Sequence, residues 1–179
     1  MATLNNPFVI YGYKGSEYFC DREEETEKMI SALHNERNVT LVAPRRMGKT
    51  GLVKHVFAKM EKQDKDIKCF YLDIYPAKNL DQMVGMLGSE IIGNLDSVSQ
   101  AAMRRVQEFF SKWRPTLTID EVTGRPTFSL DIRPSEGRET LKQIFEYLGQ
   151  SGKRCYIAID EFQQILDFPE SGVEALIRS

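Results

Sequence analysis

An α/β fold with a parallel central sheet is predicted by three observations. A short β-branched run, Val39-Thr40-Leu41-Val42, leads into the octet Ala43-Pro44-Arg45-Arg46-Met47-Gly48-Lys49-Thr50 and then into an amphipathic stretch. A second apolar run, Arg154-Cys155-Tyr156-Ile157-Ala158-Ile159, ends in the acidic pair Asp160-Glu161. Around them, strand-like and helix-like patterns alternate along the chain, the order that builds parallel sheets with right-handed crossovers.

The elements follow in sequence. Residues 1–20 carry Phe8, Tyr11, Gly12, Tyr13, Gly15, Tyr18 and Phe19 and read as an ordered, irregular lead-in. Asp21 is expected to cap a helix with Glu23, Glu24 and Glu25 in its first turn, where the helix dipole favours them. The apolar face of that helix is Met29, Ile30 and Leu33. A first strand at about 38–43 precedes a helix at about 49–62, whose Leu52, Val53, Val56, Phe57 and Met60 recur at helical spacing.

Ile67 to Ile74 make a second strand. Leu80, Met83, Val84, Leu87 and Ile91 mark a helix broken at Gly93-Asn94, and Val106, Phe109, Phe110 and Trp113 share a face of another. These faces read as packing surfaces. Residues 116–132 switch to period two, with Leu117 and Ile119 on one arm, Phe128, Leu130 and Ile132 on the other, and Thr123-Gly124 as the turn. That is a β-hairpin insertion, and it sets the two motifs unusually far apart. Ser135 is expected to open a helix with Leu141, Ile144, Phe145 and Leu148 inward, closed by Gly149 and Gly152. The acidic-ended strand comes next, then a short helical stretch through Ile165 and Leu166. The run from Val173 to Ser179 reads as a helix without a C-cap, so the sheet is expected to be incomplete at the C-terminus.

Strand, octet and helix in this order form the context of a phosphate-binding P-loop, G-x-x-x-x-G-K-[ST], with Ala43 in place of the first glycine. Ala serves there when its φ stays below zero. The main-chain amides of residues 43–51 (Ala43, Pro44, Arg45, Arg46, Met47, Gly48, Lys49, Thr50 and Gly51, proline excepted) would converge on an anion together with the helix dipole. Lys49 would reach the β- and γ-phosphates, and the Thr50 hydroxyl would complete a Mg²⁺ shell. Arg45 and Arg46 read either as phosphate contacts or as solvated side chains on the loop crest.

Residues 156–161 have the Walker B form. Asp160 would hold Mg²⁺ through water, and Glu161 would orient or deprotonate the water that attacks the γ-phosphate. A plainer role for Asp160 is N-cap of a helix beginning at Phe162. A Gly-Lys-Thr triplet alone arises by chance in basic surface loops. Two motifs in the right order outweigh that explanation.

Length and composition bound the remaining choices. At 179 residues the chain suits one domain, burying about 70% of its unfolded surface. A formal charge of −2 makes neither nucleic acid nor a membrane the default partner. Cys20, Cys69 and Cys155 lack metal-ligand spacing and read as reduced thiols, with Cys69 and Cys155 on strands. The N-terminal residues lack the charged-then-apolar pattern of a signal sequence and no run of about 18 apolar residues occurs, so the cytoplasm is the expected location. His34 and His55 show no catalytic partner, and His55 is expected on a helix surface.

The chain resembles the archaeal-type ATPases of the STAND branch, close to the AAA-like P-loop proteins. The matching residues are Asn6-Pro7-Phe8, Phe19-Cys20-Asp21-Arg22-Glu23-Glu24-Glu25, Pro44-Arg45-Arg46-Met47-Gly48-Lys49-Thr50 and Ala158-Ile159-Asp160-Glu161-Phe162-Gln163. They cover most of residues 6–168. The resemblance implies a P-loop three-layer sandwich with a parallel central sheet, in which a further strand lies between the P-loop strand and the Walker B strand. It implies ATP and Mg²⁺ as ligands, with a lid and a winged-helix domain after residue 179 through which nucleic acid would bind. A polar sensor residue and an arginine finger would come from that later segment or from a neighbouring subunit in a homo-oligomer. The Phe-x-x-Arg box would place Arg22 at the edge of the nucleotide, although Arg22 also has Glu24 and Glu25 as partners along its own helix.

Three functions fit these residues. The first is an ATP-hydrolysing conformational switch, with Lys49 and Glu161 catalytic and Thr50 and Asp160 on the metal. The second is a P-loop phosphotransferase, which a Glu directly after the Walker B Asp disfavours. The third is a nucleotide-gated binding module for DNA or a protein, using the modest basic cluster Arg104, Arg105, Lys112 and Arg114.

Overall fold

The computed structural model describes residues 13–19, 21–44, 46–95, 114–119 and 126–178. They divide into two compact units, residues 1–69 and 70–179. Asn6-Pro7-Phe8, Cys20, Arg45, the helix expected around Val106–Trp113 with its basic cluster, and the Thr123-Gly124 turn lie outside the described residues.

In the first unit, helix α1 (Glu23–His34) packs on α2 (Lys49–Gln63). α2 buries Leu52, Val53, Val56, Phe57 and Met60, the five residues of its predicted face. α1 buries Met29, with Ile30 and Leu33 half-buried. Its start differs from expectation: Asp21 has a left-handed φ of 61°, and Arg22 takes the N-cap position. The Arg22 carbonyl accepts both the main-chain N–H and the hydroxyl of buried Thr26, at 3.0 and 2.7 Å. That pair starts the helix one residue later than an Asp21 cap would.

The strand expected at about 38–43 is not a strand. Residues 37–44 have no regular secondary structure, and Val42 is 90% exposed. β-branched composition favours a pleated, paired surface but supplies no ladder by itself. Among the described residues, no strand pairs with this segment.

The second unit is α/β. Strands β1 (Ile67–Asp73, which crosses the unit boundary) and β4 (Arg154–Asp160) form a two-stranded parallel sheet. One sheet face carries Phe70, Leu72 and Ile74, packed with Met83, Val84, Leu87 and Ile91 of α3 (Leu80–Leu95) and Leu141, Ile144 and Leu148 of α4 (Gly137–Gln150). β2 (Arg114–Ile119) and β3 (Pro126–Asp131) are the predicted hairpin, antiparallel with Leu117 opposite Phe128. The backbone of β3 runs alongside α3. A 3₁₀ turn (Phe162–Asp167) and a short helix α5 (Val173–Arg178) complete the unit.

Two helix boundaries were set by tertiary contacts rather than by local signals. α3 continues through Gly93 to Leu95, because burial of Ile91, Ile92 and Leu95 outweighs the roughly 1 kcal/mol helix penalty of a glycine. α4 begins after Ser135, which has φ 71° instead of capping. The cap comes from another helix: Asp81 of α3 accepts the Ser135 N–H at 2.9 Å and the Gly137 N–H at 2.7 Å. A Cβ on Gly137 would lie 2.6 Å from that carboxylate, which would have to move to admit any larger residue. Counting from Gly137, the buried stripe runs through Thr140, Leu141, Ile144, Tyr147 and Leu148. Phe145, expected inward, falls off the stripe and is 44% exposed.

Asp81→Ala should therefore lower stability by about 2 kcal/mol, because the buried Gly137 N–H loses a charged acceptor. Urea unfolding would show a lower midpoint at unchanged slope. An unmoved midpoint would remove this carboxylate from the list of fold determinants.

Candidate functional site

Residues 46–48 turn ahead of α2. Gly48 is the N-cap, with a left-handed φ of 71°, and Arg46 is also left-handed at 65°. The Gly48 carbonyl accepts the first helical bond, from the Leu52 N–H at 2.9 Å. First-turn amides have no partner within their own helix and point outward along its axis. The Lys49 ammonium folds back over the loop and donates to the Ala43 carbonyl at 2.8 Å. Thr50 is half-buried in the first turn, while Pro44, Arg46 and Met47 are exposed on the crest.

Arg22 reaches this loop. Its Nη1 donates to the Met47 carbonyl at 2.9 Å, while its Nε contacts Glu25 at 3.4 Å. Of the partners expected for Arg22 along its own helix, Glu25 is present, and the bond to the Met47 carbonyl was not anticipated. A Cβ on Gly48 would come to 3.7 Å from the same guanidinium. Phe19 lies at the other flank, with its ring edge 3.8 Å from where a Gly51 side chain would begin. The Phe-x-x-Arg box therefore brackets the helix start, with Phe19 beside Gly51 and Arg22 beside Gly48.

His55 is not a simple surface residue. It stacks on Phe19 with centroids 4.1 Å apart and planes 11° from parallel, and bonds to the Tyr13 hydroxyl through Nδ1 at 3.1 Å. Tyr13 meets both rings edge-on. Burial lowers the His55 pKa below its ordinary 6.5, Lys59 adds to that lowering, and Glu23 opposes it. The neutral ring is the one that suits this aromatic cluster. Position-by-position reading missed it, although helical spacing puts His55 one turn after Gly51, on the side that Phe19 covers.

The acidic pair lies at the carboxyl end of β4. The Asp160 carbonyl accepts the Ile74 N–H of β1 at 3.3 Å, and Oδ1 of its carboxylate accepts the Glu161 N–H at 3.0 Å. Tyr71 of β1 donates its phenol O–H to Oδ2 of Asp160. Glu161, at φ 55°, takes the left-handed N-cap position of the 3₁₀ turn that had been the plainer role for Asp160. Its carboxylate accepts a bond from the Gln163 amide.

No protein-family model matches the chain, and no curated protein or solved structure matches it. Among the described residues, no three His, Cys, Asp or Glu side chains gather as a metal cage. Mg²⁺ does not require one, since one or two protein groups with substrate phosphates and water usually hold it. No described helix is long and apolar enough to cross a membrane.

Proposed function

We propose that this chain is the nucleotide-binding core of a Mg-ATP-dependent P-loop ATPase of the archaeal-type STAND kind, working as a conformational switch. The observation that carries the reading is the loop before α2: a left-handed Gly48, a Lys49 ammonium curled over the loop, and Arg22 at its crest. That arrangement suits a polyphosphate, which can draw on first-turn amides, the helix dipole and two cations at once. The three-layer sandwich belongs to the same proposal.

Lys49 would bind the β- and γ-phosphates, and the amides of residues 43–51 would cradle them. Thr50 and Asp160 would hold Mg²⁺, which neutralises charge on the phosphate oxygens. Glu161 would accept the proton of the attacking water as the bond from the γ-phosphorus to ADP breaks and the bond to the water oxygen forms. An acceptor other than water would leave that carboxylate without a task. A nucleic-acid or protein partner and a homo-oligomeric assembly remain part of the family reading.

A thermal-shift titration with Mg-ATP, Mg-GTP and Mg-ADP tests this directly. Saturation at about 100 times Kd should add roughly 2.7 kcal/mol of stability. The order of the three responses gives the base and phosphate preference. A flat response to all three would overturn the proposal.

A further inference from the structure

We propose that Tyr71 is a positioning residue for the metal-binding carboxylate of Asp160. This rests on the reading of Asp160 given above and adds a residue that lies in neither motif. β1 and β4 are hydrogen-bonded neighbours, and the Ile74 N–H to Asp160 carbonyl bond fixes their register at the carboxyl ends. Phe70, Leu72 and Ile74 enter the core, so strand alternation turns Tyr71 to the opposite face. Cys155, Ile157 and Ile159 pack against the same core, which turns Asp160 to the face that Tyr71 occupies. Register and alternation together bring the phenol to the carboxylate.

The result is a carboxylate with each oxygen tied to a different element. The β1 phenol donates to Oδ2, and the Glu161 main chain donates to Oδ1. Two such bonds hold the carboxylate plane against rotation. Both donors are neutral, so neither brings a positive charge that would compete with a cation. A carboxylate offers about four lone-pair sites, so accepting these donors is compatible with binding a metal ion or its water. Hydrogen-bond partners of this kind orient metal-binding groups, and their loss typically weakens metal affinity by about 10–100-fold.

The test is Tyr71→Phe, which removes one oxygen and leaves the ring in place. Mn²⁺ replaces Mg²⁺, and electron paramagnetic resonance counts free Mn²⁺ during titration of the protein with ATP. ATP binding in EDTA is measured alongside by fluorescence. The variant should bind Mn²⁺ about tenfold or more weakly and bind metal-free ATP like the parent. In an Asp160→Asn background, Tyr71→Phe should cause no further loss of Mn²⁺. Equal Mn²⁺ affinity in parent and variant, or the same loss in the Asp160→Asn background, would overturn the role of Tyr71 while leaving the ATPase reading intact. A parent chain that binds neither Mn²⁺-ATP nor ATP would overturn that reading, and this inference with it.

Discussion

Lys49→Ala is expected to abolish the stabilisation of the chain by Mg-ATP. The side chain is the first residue of α2, half-buried, with its ammonium within the loop that it closes. The Arg22 guanidinium, by contrast, is engaged at the crest by the Met47 carbonyl and by Glu25. Without Lys49, a triphosphate would lose the ammonium folded over the loop and keep the main-chain amides, the helix dipole and the Arg22 guanidinium. The roughly 2.7 kcal/mol gained by the parent at 100 times Kd should vanish at the same nucleotide concentration. The unfolding midpoint without nucleotide serves as the reference, since the variant also loses its bond to Ala43. A variant stabilised by Mg-ATP as much as the parent would remove Lys49 from phosphate binding.

Glu161→Gln should separate binding from turnover. The amide oxygen of a glutamine can still accept the Gln163 bond, and the side-chain volume is unchanged, so the turn after β4 should keep its shape. What disappears is a base able to take a proton from water. General-base catalysis contributes about 10²–10⁴-fold, and phosphate release should fall by that factor while the Mg-ATP thermal shift persists. Phosphate release at the parental rate would show that another group activates the water.

Much of this architecture was legible in the chain because the signals were local and repeated. α2 shows its five-residue face plainly, and the period-two arms marked the two strands of the hairpin, though not the register that sets Leu117 opposite Phe128. The failures share a cause. Ser135 and Asp21 look like caps in sequence, yet Asp81 supplies one cap from another helix and Arg22 displaces the other. Val39 to Val42 look like a strand, but a strand is defined by the neighbour it bonds to, which composition cannot show. At the site, the loop and the acidic pair were readable as motifs. Tyr71 and His55 were not, because their roles depend on strand register and on a ring packed from a distant segment. The alternation of β1 was the available clue to Tyr71.

The bond from Lys49 to Ala43 has a bearing on how tightly any anion can be retained. The ammonium already has an acceptor, so capture is an exchange of one oxygen for another rather than the quenching of a bare charge. Only the margin between an ionised and a neutral acceptor is gained, and charge-assisted bonds are roughly twice as strong as neutral ones. The carbonyl also stays within reach after the anion departs, so the emptied loop can reclose on its own lysine. Such a site is suited to release as much as to grip, which is what a repeating cycle demands.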